Sequence, residues 1–299
     1  MTGAPSLNGW LILDKPLGLS SAQGVAAVKR ILRGQGIRPD RIGHGGTLDP
    51  LATGVLPIAI GEATKLAGRM LDATKAYDFT VRWGAATATE DAEGAVTAVS
   101  DVRPDAVAIA AIVPHFTGPI AQVPPAYSAL KVDGQRAYAR ARAGEVVSLA
   151  VRHVTVHDLV LVATTDDSAT FAARVSKGTY IRSLARDIAL ALGTVGHVTM
   201  LRRTRAGPFG IDAAITLDKF ECAVQGAALE QVILPLMAGL DDIPALAVDA
   251  HEAAALRQGR RLFGHPANPG TYLACLGSVP VALVEVEPEM VRVLRGFNL

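Results

Sequence analysis

The stretch GHGGTLDPLATGVLPIAIG, residues 43 to 61, joins a glycine-rich segment with a single acid, Asp49, to a run of aliphatic residues. Its second half, residues 55 to 61, predicts a buried strand, because a short apolar run bounded by turn residues is typical of one. The glycines lack the Gly-Lys-Ser/Thr ending of a phosphate-binding P-loop. They do remove side-chain bulk, so a ligand could approach the predicted loop before the strand closely.

Asp49 has two interpretations at this point. Aspartate followed by proline, here Pro50, commonly begins a helix, with the carboxylate as N-cap and the proline in the first turn. The local sequence favours that role. The alternative is a functional carboxylate that lies among glycines without a neighbouring serine, cysteine or lysine.

The flanking segments mix strands and helices. Strands are predicted for residues 8–16, 75–84, 151–162 and 169–178, and helices from Ser20 or Ser21 through Arg33 and from Thr179. The regular βαβ alternation of a doubly wound sheet is absent, which favours an α+β fold.

The C-terminal part reads as a separate module. PLMAGLDDIPA, residues 235 to 245, predicts a linker that divides the chain into a domain of residues 1–240 and one of residues 241–299. The second part predicts one short helix, with Asp249 as its N-cap, and several strands. A small β-rich module is expected there.

Composition points to a cytoplasmic protein. No apolar run approaches the ~18 residues that cross a bilayer, the N-terminus has no secretory pattern, and the two cysteines are isolated. Net charge is only +1, but residues 29 to 41 carry five basic side chains against one acid. Smaller basic clusters occur at residues 136–142 and 201–205. These clusters predict either a basic face for phosphates or ordinary solvated helix faces.

The histidines do not predict a metal site. His153 and His157 alternate with valines in a strand pattern, which places their rings about 13 Å apart, too far to share one ion. No nucleotide-binding motif is present either. We therefore expect neither a metal nor an organic cofactor.

Six segments together resemble the bacterial TruB family of tRNA pseudouridine synthases. They are DKPLGLSS (14–21), GHGGTLDPLATGVLPIAIGEATK (43–65), KAYDFTVRWG (75–84), YSALKVDGQRAY (127–138), SKGTYIRSLARD (176–187) and LRRTRAG (201–207). They occur in the family's order and at its spacing. The resemblance implies a mixed, largely antiparallel catalytic sheet with flanking helices and a small PUA-like RNA-binding module at the C-terminus.

The resemblance also implies roles for individual residues. The matching aspartate, Asp49, would be the catalytic carboxylate, and Arg182 would hold it in place. Tyr77 would stack on the target uracil and act as the base for the final proton removal.

Four further residues would bind the substrate. Tyr180 would line the pocket, Leu201 would form an apolar wall, and Lys65 would supply a supporting charge. His44 would insert into the folded T-arm loop and favour base flipping.

The implied substrate is the T-loop uridine of tRNA conventionally numbered 55, recognised mainly by loop shape and splayed bases. We expect the chain to act as a monomer, with tRNA as its partner, no membrane association and no obligatory protein partner. Two other classes stay open. One is a guide-dependent synthase that needs partner proteins, and the other is a module that only binds or folds RNA.

Overall fold

The computed structural model describes residues 7–128, 130–132, 134–145, 149–265 and 267–299. The side chains of Arg136 and Arg142, in the second basic cluster, lie outside the described part.

The described strands are β1 (Gly9–Lys15), β2 (Ile42–His44), β3 (Ala52–Ile60), β4 (Lys75–Trp83), β5 (Ala85–Thr87), β6 (Val96–Val99), β7 (Gly118–Gln122), β8 (Lys131–Val132), β9 (Gln135–Arg136), β10 (Arg152–Thr164), β11 (Ser168–Val175), β12 (Gly196–Ala206), β13 (Phe209–Gly210), β14 (Ala245–Ala247), β15 (Leu262–Phe263), β16 (Gly270–Leu276), β17 (Val279–Val286) and β18 (Met290–Gly296).

The described α-helices are α1 (Ser21–Gly34), α2 (Ala67–Asp72), α3 (Ala106–Ile112), α4 (Ala137–Arg142), α5 (Ile181–Ala191), α6 (Leu217–Gln225) and α7 (Ala250–Arg257). Short 3-10 helices cover Gly61–Leu66, Val113–Phe116, Ile211–Ala213, Leu229–Gln231 and Leu236–Gly239.

A nine-stranded sheet forms the centre of the molecule. Its main path is β1-β3-β12-β4-β11-β10-β7, with β2 added on β3 and β13 on β12. The β3–β12 pair is parallel, and the other pairs of this sheet are antiparallel. The predicted α+β class with a mixed, largely antiparallel sheet is therefore confirmed.

The two faces of this sheet explain the sequence patterns. Residues 10–13 of β1 are apolar because both faces of the strand are covered there: Leu11 and Leu13 join the core that includes the helices, while Trp10 and Ile12 join a second core on the other side. The middle of β4 alternates instead, with Phe79 buried in the first core. The β1 edge of the sheet is therefore covered on both faces.

The helix α1 begins where the sequence predicts. Ser20 caps it through a reciprocal pair of hydrogen bonds with Gln23, and Val28 and Leu32 pack its inner face against the sheet. The helix thereby covers the sheet beside β1 and β3.

Residues 245 to 296 form a five-stranded sheet in the order β14-β16-β17-β18-β15. Asp249 caps α7 as predicted, and this helix packs in the core of the module. The boundary between residues 240 and 241 stays a prediction.

The predicted linker is not an extended tether. Leu236 and Leu240 are buried, and Gly239 lies against Trp10, where an added Cβ would come within 2.9 Å of the indole. Leu273, from the C-terminal sheet, belongs to the same core cluster as Trp10. The C-terminal module therefore packs directly on the large sheet.

Of the two interpretations of Asp49, the helix N-cap is wrong, because no helix begins at this residue. Pro50 and Leu51 form a turn that leads straight into β3, which begins at Ala52, three residues earlier than the apolar run suggests. The parallel pairing of Ala52 with Leu201 on β12 extends the strand into this region. Pairing across the sheet thus overrides the local preference of Asp-Pro for a helix start.

Within the described residues, no helix is long and apolar enough to cross a membrane.

Gly54 should be essential for folding. Its φ is +97°, and a Cβ there would lie 2.2 Å from the carbonyl oxygen of Arg203 on β12. We expect Gly54→Ala to lower the free energy of unfolding by at least about 2 kcal/mol, from backbone strain and the clash. Urea unfolding measures the change.

Gly34→Ala is the matched control. An added Cβ at Gly34 has open space around it, and the residue ends a helix. It should leave stability unchanged or raise it by up to about 1 kcal/mol. Equal effects of the two substitutions would contradict the assigned close approach.

Candidate active site

The loop between β2 and β3 carries Asp49, and the segment at the start of α1 anchors it. The Ser21 hydroxyl accepts a hydrogen bond from the backbone N–H of Leu48 (2.7 Å) and lies 3.0 Å from the carbonyl of the same residue. The buried ammonium of Lys15 donates to the Pro50 carbonyl at 3.3 Å. The residues on both sides of Asp49 are therefore tied to one end of the sheet.

Arg203 anchors the same loop from β12. Its side chain is buried, and its guanidinium donates to the carbonyls of Val55 (2.7 Å), Thr47 (3.3 Å) and Gly46 (3.2 Å). A planar, five-donor group can serve three carbonyls that point in different directions, which a lysine ammonium does less well. The loop before Asp49 is thus fixed to the neighbouring strand.

Arg182 pairs directly with Asp49. One guanidinium nitrogen lies 3.0 Å from the Asp49 carboxylate and also donates to the Tyr127 carbonyl at 2.9 Å. The other donates to the Thr89 carbonyl at 2.6 Å and lies 3.6 Å from the Asp91 carboxylate. Only 5 % of the Arg182 side chain is exposed, against 39 % for Asp49. A buried guanidinium that also donates to two backbone carbonyls therefore holds a carboxylate that still faces solvent.

A cavity of about 530 Å³ opens beside Asp49. Its described lining includes backbone or side-chain atoms from the Asp49 loop, β4, β11, β12, the start of α5 and the connector after β7: Gly46, Thr47, Leu48, Asp49, Leu71, Lys75, Tyr77, Ser128, Leu130, Arg152, Val175, Ser176, Gly178, Thr179, Tyr180, Ile181, Arg182, Leu201 and Arg203. Asp49 is the one acidic side chain among these residues. The cavity is thus mainly apolar and cationic, with a single carboxylate.

Five of the seven predicted site residues meet at this cavity: Asp49, Tyr77, Tyr180, Arg182 and Leu201. Tyr77 lies on β4 opposite Arg203 of β12, and Leu201 lies two residues earlier on the latter strand. Burial raises the pKa of Tyr180, so its hydroxyl stays protonated at neutral pH. The sheet register and the start of α5 bring these distant residues together.

His44 lies outside the described lining but close to it in the chain, two residues before Gly46. It is half-buried at the end of β2, and none of the described residues forms a hydrogen bond with its Nδ1 atom. Burial, and then the charge of Arg203, lower the pKa of His44. The ring is therefore neutral at pH 7 and offers an uncharged, flat surface.

The structure does not bring Lys65 to the cavity. Its ammonium pairs with Glu62 at 2.6 Å and donates to the Gly296 carbonyl at 2.9 Å, while the Glu62 carboxylate accepts from the N–H of Asn298. Lys65 therefore fastens the C-terminal strand to the large sheet. We remove it from the candidate site.

Lys75 is the lysine that borders the cavity. It is buried and donates to the carbonyls of Leu71 and Ala73, at 2.7 and 2.6 Å. Burial and the charge of Arg203 lower its pKa to about 8. The pKa of Lys15 is likewise lowered to about 8, chiefly by burial, although Asp49 opposes the change.

Sequence reasoning missed the residues that support Asp49 from behind: Lys15, Ser21, Asp91 and Arg203. The last of these belongs to the basic cluster at residues 201–205, but it is committed to buried carbonyls, and its neighbour Arg202 pairs with Asp14 at 2.9 Å. Charge counting identified the cluster without indicating that these two arginines are used inside the protein. Lys15, Ser21 and Arg203 lie in segments shared with the resembled family, which was the one signal that these positions belong together, and nothing in the sequence indicated Asp91.

The fold of this chain is also found in a protein of known structure. The fold is similar to that of a chain in the archaeal box H/ACA sRNP Nop10-Cbf5 complex, which is 25% identical, with a TM-score of 0.73 over 97% of this chain and 86% of that one. The shared architecture is the pseudouridine synthase fold with a C-terminal β module.

The family follows from the sequence matches. Residues 29–181 match the TruB family pseudouridylate synthase (N terminal domain), and residues 182–241 match the tRNA pseudouridylate synthase B C-terminal domain. The chain belongs to the TruB family of pseudouridylate synthases.

Two curated relatives, both named tRNA pseudouridine synthase B, match nearly the whole chain. The one from Novosphingobium aromaticivorans is 61% identical over 98% of this chain and 98% of its own length. The one from Zymomonas mobilis subsp. mobilis is 54% identical, with all of both chains covered.

Arg182 should tolerate no replacement by lysine. A lysine ammonium cannot reach Asp49, the Thr89 carbonyl and the Tyr127 carbonyl together, so buried acceptors lose their donors. We expect Arg182→Lys to lower the free energy of unfolding by about 1–3 kcal/mol. Chemical denaturation with an intrinsic fluorescence signal measures it.

Arg202→Lys is the matched control, because Arg202 makes a partly exposed pair with Asp14 on the same sheet. Its effect should stay within about 1 kcal/mol. A loss for Arg182→Lys no larger than that of the control would contradict the assigned role.

Proposed function

We propose that the chain isomerises the T-loop uridine of tRNA, position 55, to pseudouridine. Its family makes it an RNA uridine isomerase, and its curated relatives are named as tRNA enzymes. The observation that carries the proposal is the cavity-facing carboxylate of Asp49, held by the buried guanidinium of Arg182. The target nucleotide flips out of the folded loop and enters this cavity.

The reaction needs one carboxylate and no external reactant. The bond between N1 of uracil and C1′ of ribose breaks, the base rotates, and a bond from C5 to C1′ forms. C5 then loses its proton and N1 gains one, so the atoms balance. Aspartate carboxylates are ionised at neutral pH without a helper base, unlike a serine hydroxyl.

Asp49 acts on the nucleotide in one of three ways: attack on the uracil ring, attack on C1′, or assistance to elimination at the sugar. All three require an unprotonated carboxylate in a fixed position. Arg182 supplies that position and balances the charge. Its other contacts, to the Thr89 and Tyr127 carbonyls and to the Asp91 carboxylate, hold the guanidinium in place when the carboxylate moves.

The aromatic and apolar lining holds the base. Tyr77 stacks on the uracil and takes the C5 proton at the end, and Leu201 forms the opposite wall. Tyr180 borders the same space with a protonated hydroxyl. Flipping costs a few kcal/mol, which stacking on an aromatic ring offsets in part.

His44 lies at the rim of the cavity, where it supports base flipping and takes no part in the chemical steps. Its lowered pKa keeps the ring neutral, which suits stacking in the space that the flipped base leaves. Its place at the end of β2, just before the Asp49 loop, puts it on the approach of the RNA.

No metal or organic cofactor enters this mechanism, and no partner protein is assigned to it. The described residues contain no group of three or more histidine, cysteine, aspartate or glutamate side chains arranged to hold a metal ion. The chain is proposed to act as a monomer on bare tRNA, with the PUA-like module of residues 241–299 contributing to RNA binding.

A basic groove on the opposite end of α1 is the second element of the proposal. Lys29, Arg33 and Arg38 border a depression of about 450 Å³ with one acid, Asp40. Three cations against one carboxylate favour a phosphate backbone. The groove is therefore assigned to sequence-independent contact with tRNA.

Removing the charge of Asp49 tests the chemistry. Asp49→Asn keeps the size and most hydrogen-bonding capacity of the side chain. We expect it to bind tRNA within about tenfold of the parent (about 1.4 kcal/mol) and to lose at least ~10⁴ in single-turnover rate, about 5.5 kcal/mol. The measurements are filter binding and pseudouridine mapping on one unmodified tRNA transcript.

Asp158→Asn, on the exposed part of β10, is the control and should keep the parent's rate. An Asp49→Asn rate above about a tenth of the parent's would overturn the mechanism. A parent chain that binds tRNA but forms pseudouridine only with added protein partners would favour a guide-dependent enzyme. Binding without any product would favour a module that only binds RNA.

Salt dependence tests the groove. A variant with glutamine at Lys29, Arg33 and Arg38 should bind tRNA with a log–log salt slope about two units shallower than the parent, because each phosphate contact contributes about 0.7–0.9. Filter binding at several salt concentrations gives the slope.

The control variant replaces Arg82, Arg174 and Arg292, each of which already pairs with an acid. Its slope should change by less than about half a unit. Equal slopes for both triple variants would count against the groove.

A further inference from the structure

The turn that follows β5 has a strained backbone. It contains Thr89, Glu90 and Asp91, and the φ of Glu90 is +62°, in the left-handed region that favours glycine. Among the described residues, only one other that is not glycine, Ala227, has a positive φ. Strain of this kind persists where the surrounding contacts enforce it, and it is concentrated at functional sites.

The two neighbours of Glu90 in this turn both contact Arg182. The Thr89 carbonyl accepts from one guanidinium nitrogen at 2.6 Å, and the Asp91 carboxylate lies 3.6 Å from the same nitrogen. The other nitrogen pairs with Asp49. The turn therefore holds the half of the guanidinium that does not pair with Asp49.

The Glu90 side chain fastens the turn to α5. Its carboxylate accepts a hydrogen bond from the Ser183 hydroxyl at 3.2 Å and pairs with the guanidinium of Arg186. Arg186 follows Arg182 by four residues, so the two arginines lie on the same face of the helix. Helix α5 thus contacts the turn at two successive levels, once through Arg182 and once through the Glu90 carboxylate.

This attachment is rigid on both sides. Arg186 also donates to the Asp187 carboxylate at 2.8 Å and to the Val123 carbonyl at 3.0 Å. On the side of the turn, the N–H of Val198 on β12 donates to the Glu90 carbonyl at 3.1 Å. Glu90 therefore joins α5 to β12 directly behind Arg182.

The Glu90 side chain is retained at a cost. Only 16 % of it is exposed, and burial raises the pKa of its carboxyl group, although Arg186 opposes the rise. Glycine at this position would adopt the same backbone without strain. A turn that served only to connect β5 with β6 would thus need no carboxylate here.

We propose that Glu90 is a positioning residue that acts on Asp49 through Arg182. Its carboxylate holds the turn against α5, and the turn then keeps the Arg182 guanidinium in the orientation that pairs with Asp49. Without this attachment the Thr89 carbonyl is free to move, and Arg182 loses its fixed direction. This inference rests on the proposed function, since it takes Asp49 as the group that carries out the chemistry.

Two substitutions at Glu90 separate positioning from stability. Glu90→Gly removes the carboxylate together with the backbone strain, whereas Glu90→Gln keeps the strain and an oxygen that accepts from Arg186. In single-turnover pseudouridine formation on one tRNA transcript, we expect Glu90→Gly to slow the reaction by about tenfold or more and Glu90→Gln by less than about threefold. Affinity for tRNA should stay within about twofold of the parent in both variants.

Rescue of the rate by glutamine, against the order of stability, is the readout that a purely structural role would not give. Relief of strain compensates Glu90→Gly for the lost ion pair, so this variant should melt at least as high as Glu90→Gln although it reacts more slowly. If Glu90 served stability alone, the slower variant would also be the less stable one.

Glu62→Gln is the matched control. Glu62 is a carboxylate of similar burial, 18 % exposed, and it pairs with Lys65 where the C-terminal strand is fastened. The substitution should lower the melting temperature and keep the rate within about twofold of the parent.

Three results would overturn the inference while the proposed function stands: a Glu90→Gly rate within about twofold of an active parent, equal rate losses for Glu90→Gly and Glu90→Gln, or a Glu90→Gly variant that melts below Glu90→Gln or does not fold. A parent chain that forms no pseudouridine at all would instead overturn the proposed function, and the role of Glu90 with it.

Discussion

The site depends on buried cations that hold the backbone of one loop. Arg203 and Lys15 donate to the carbonyls of Gly46, Thr47 and Pro50, on either side of Asp49. Burying such charges is costly unless they are hydrogen-bonded and balanced, and the carbonyl oxygens supply only part of that compensation. The Asp49 carboxylate supplies more, since it raises the pKa of Lys15 against the effect of burial. The catalytic candidate and its supports therefore form one electrostatic unit.

The glycines around Asp49 have a different role from the one that the sequence suggests. The sequence suggests room for a ligand, but an added Cβ at Gly45 would lie 2.6 Å from the Cβ of Met70, and one at Gly54 would meet the Arg203 backbone. At these two positions, glycine lets neighbouring parts of the same chain pack closely, and it does not make room for a ligand. The loop is compact so that its carbonyls reach the cations, while Gly46, Thr47 and Leu48 still border the cavity beside Asp49.

Much of the fold could be predicted because it depends on local patterns. The buried and alternating strands and the caps at Ser20 and Asp249 were predicted from a few neighbouring residues. The Asp49–Pro50 pair suggested a helix start for the same reason. Its local preference is real, but the pairing of Ala52 with Leu201 outweighs it. The supports of Asp49 could not be found this way. Arg203 contacts the Asp49 loop and the strand after it, although more than 140 residues of chain separate them. Nothing near Arg203 in the sequence indicates that contact.

Two effects of charge differ at the cavity: the long-range attraction of RNA by positive charge, and the recognition of a nucleotide by hydrogen bonds. Lys75, Arg152, Arg182 and Arg203 give it a positive potential, and three of them, Lys75, Arg182 and Arg203, already donate to backbone carbonyls or pair with Asp49. Under the proposed function, these three cations attract RNA towards the site without binding its phosphates directly. Under the proposed function, hydrogen bonding to a nucleotide falls to Asp49, to Arg152 and to the hydroxyl groups of the lining, which include those of the two tyrosines. A site built in this way favours a base that fits the cavity over any chain that merely carries negative charge, which is what a flipped uridine from a folded loop requires.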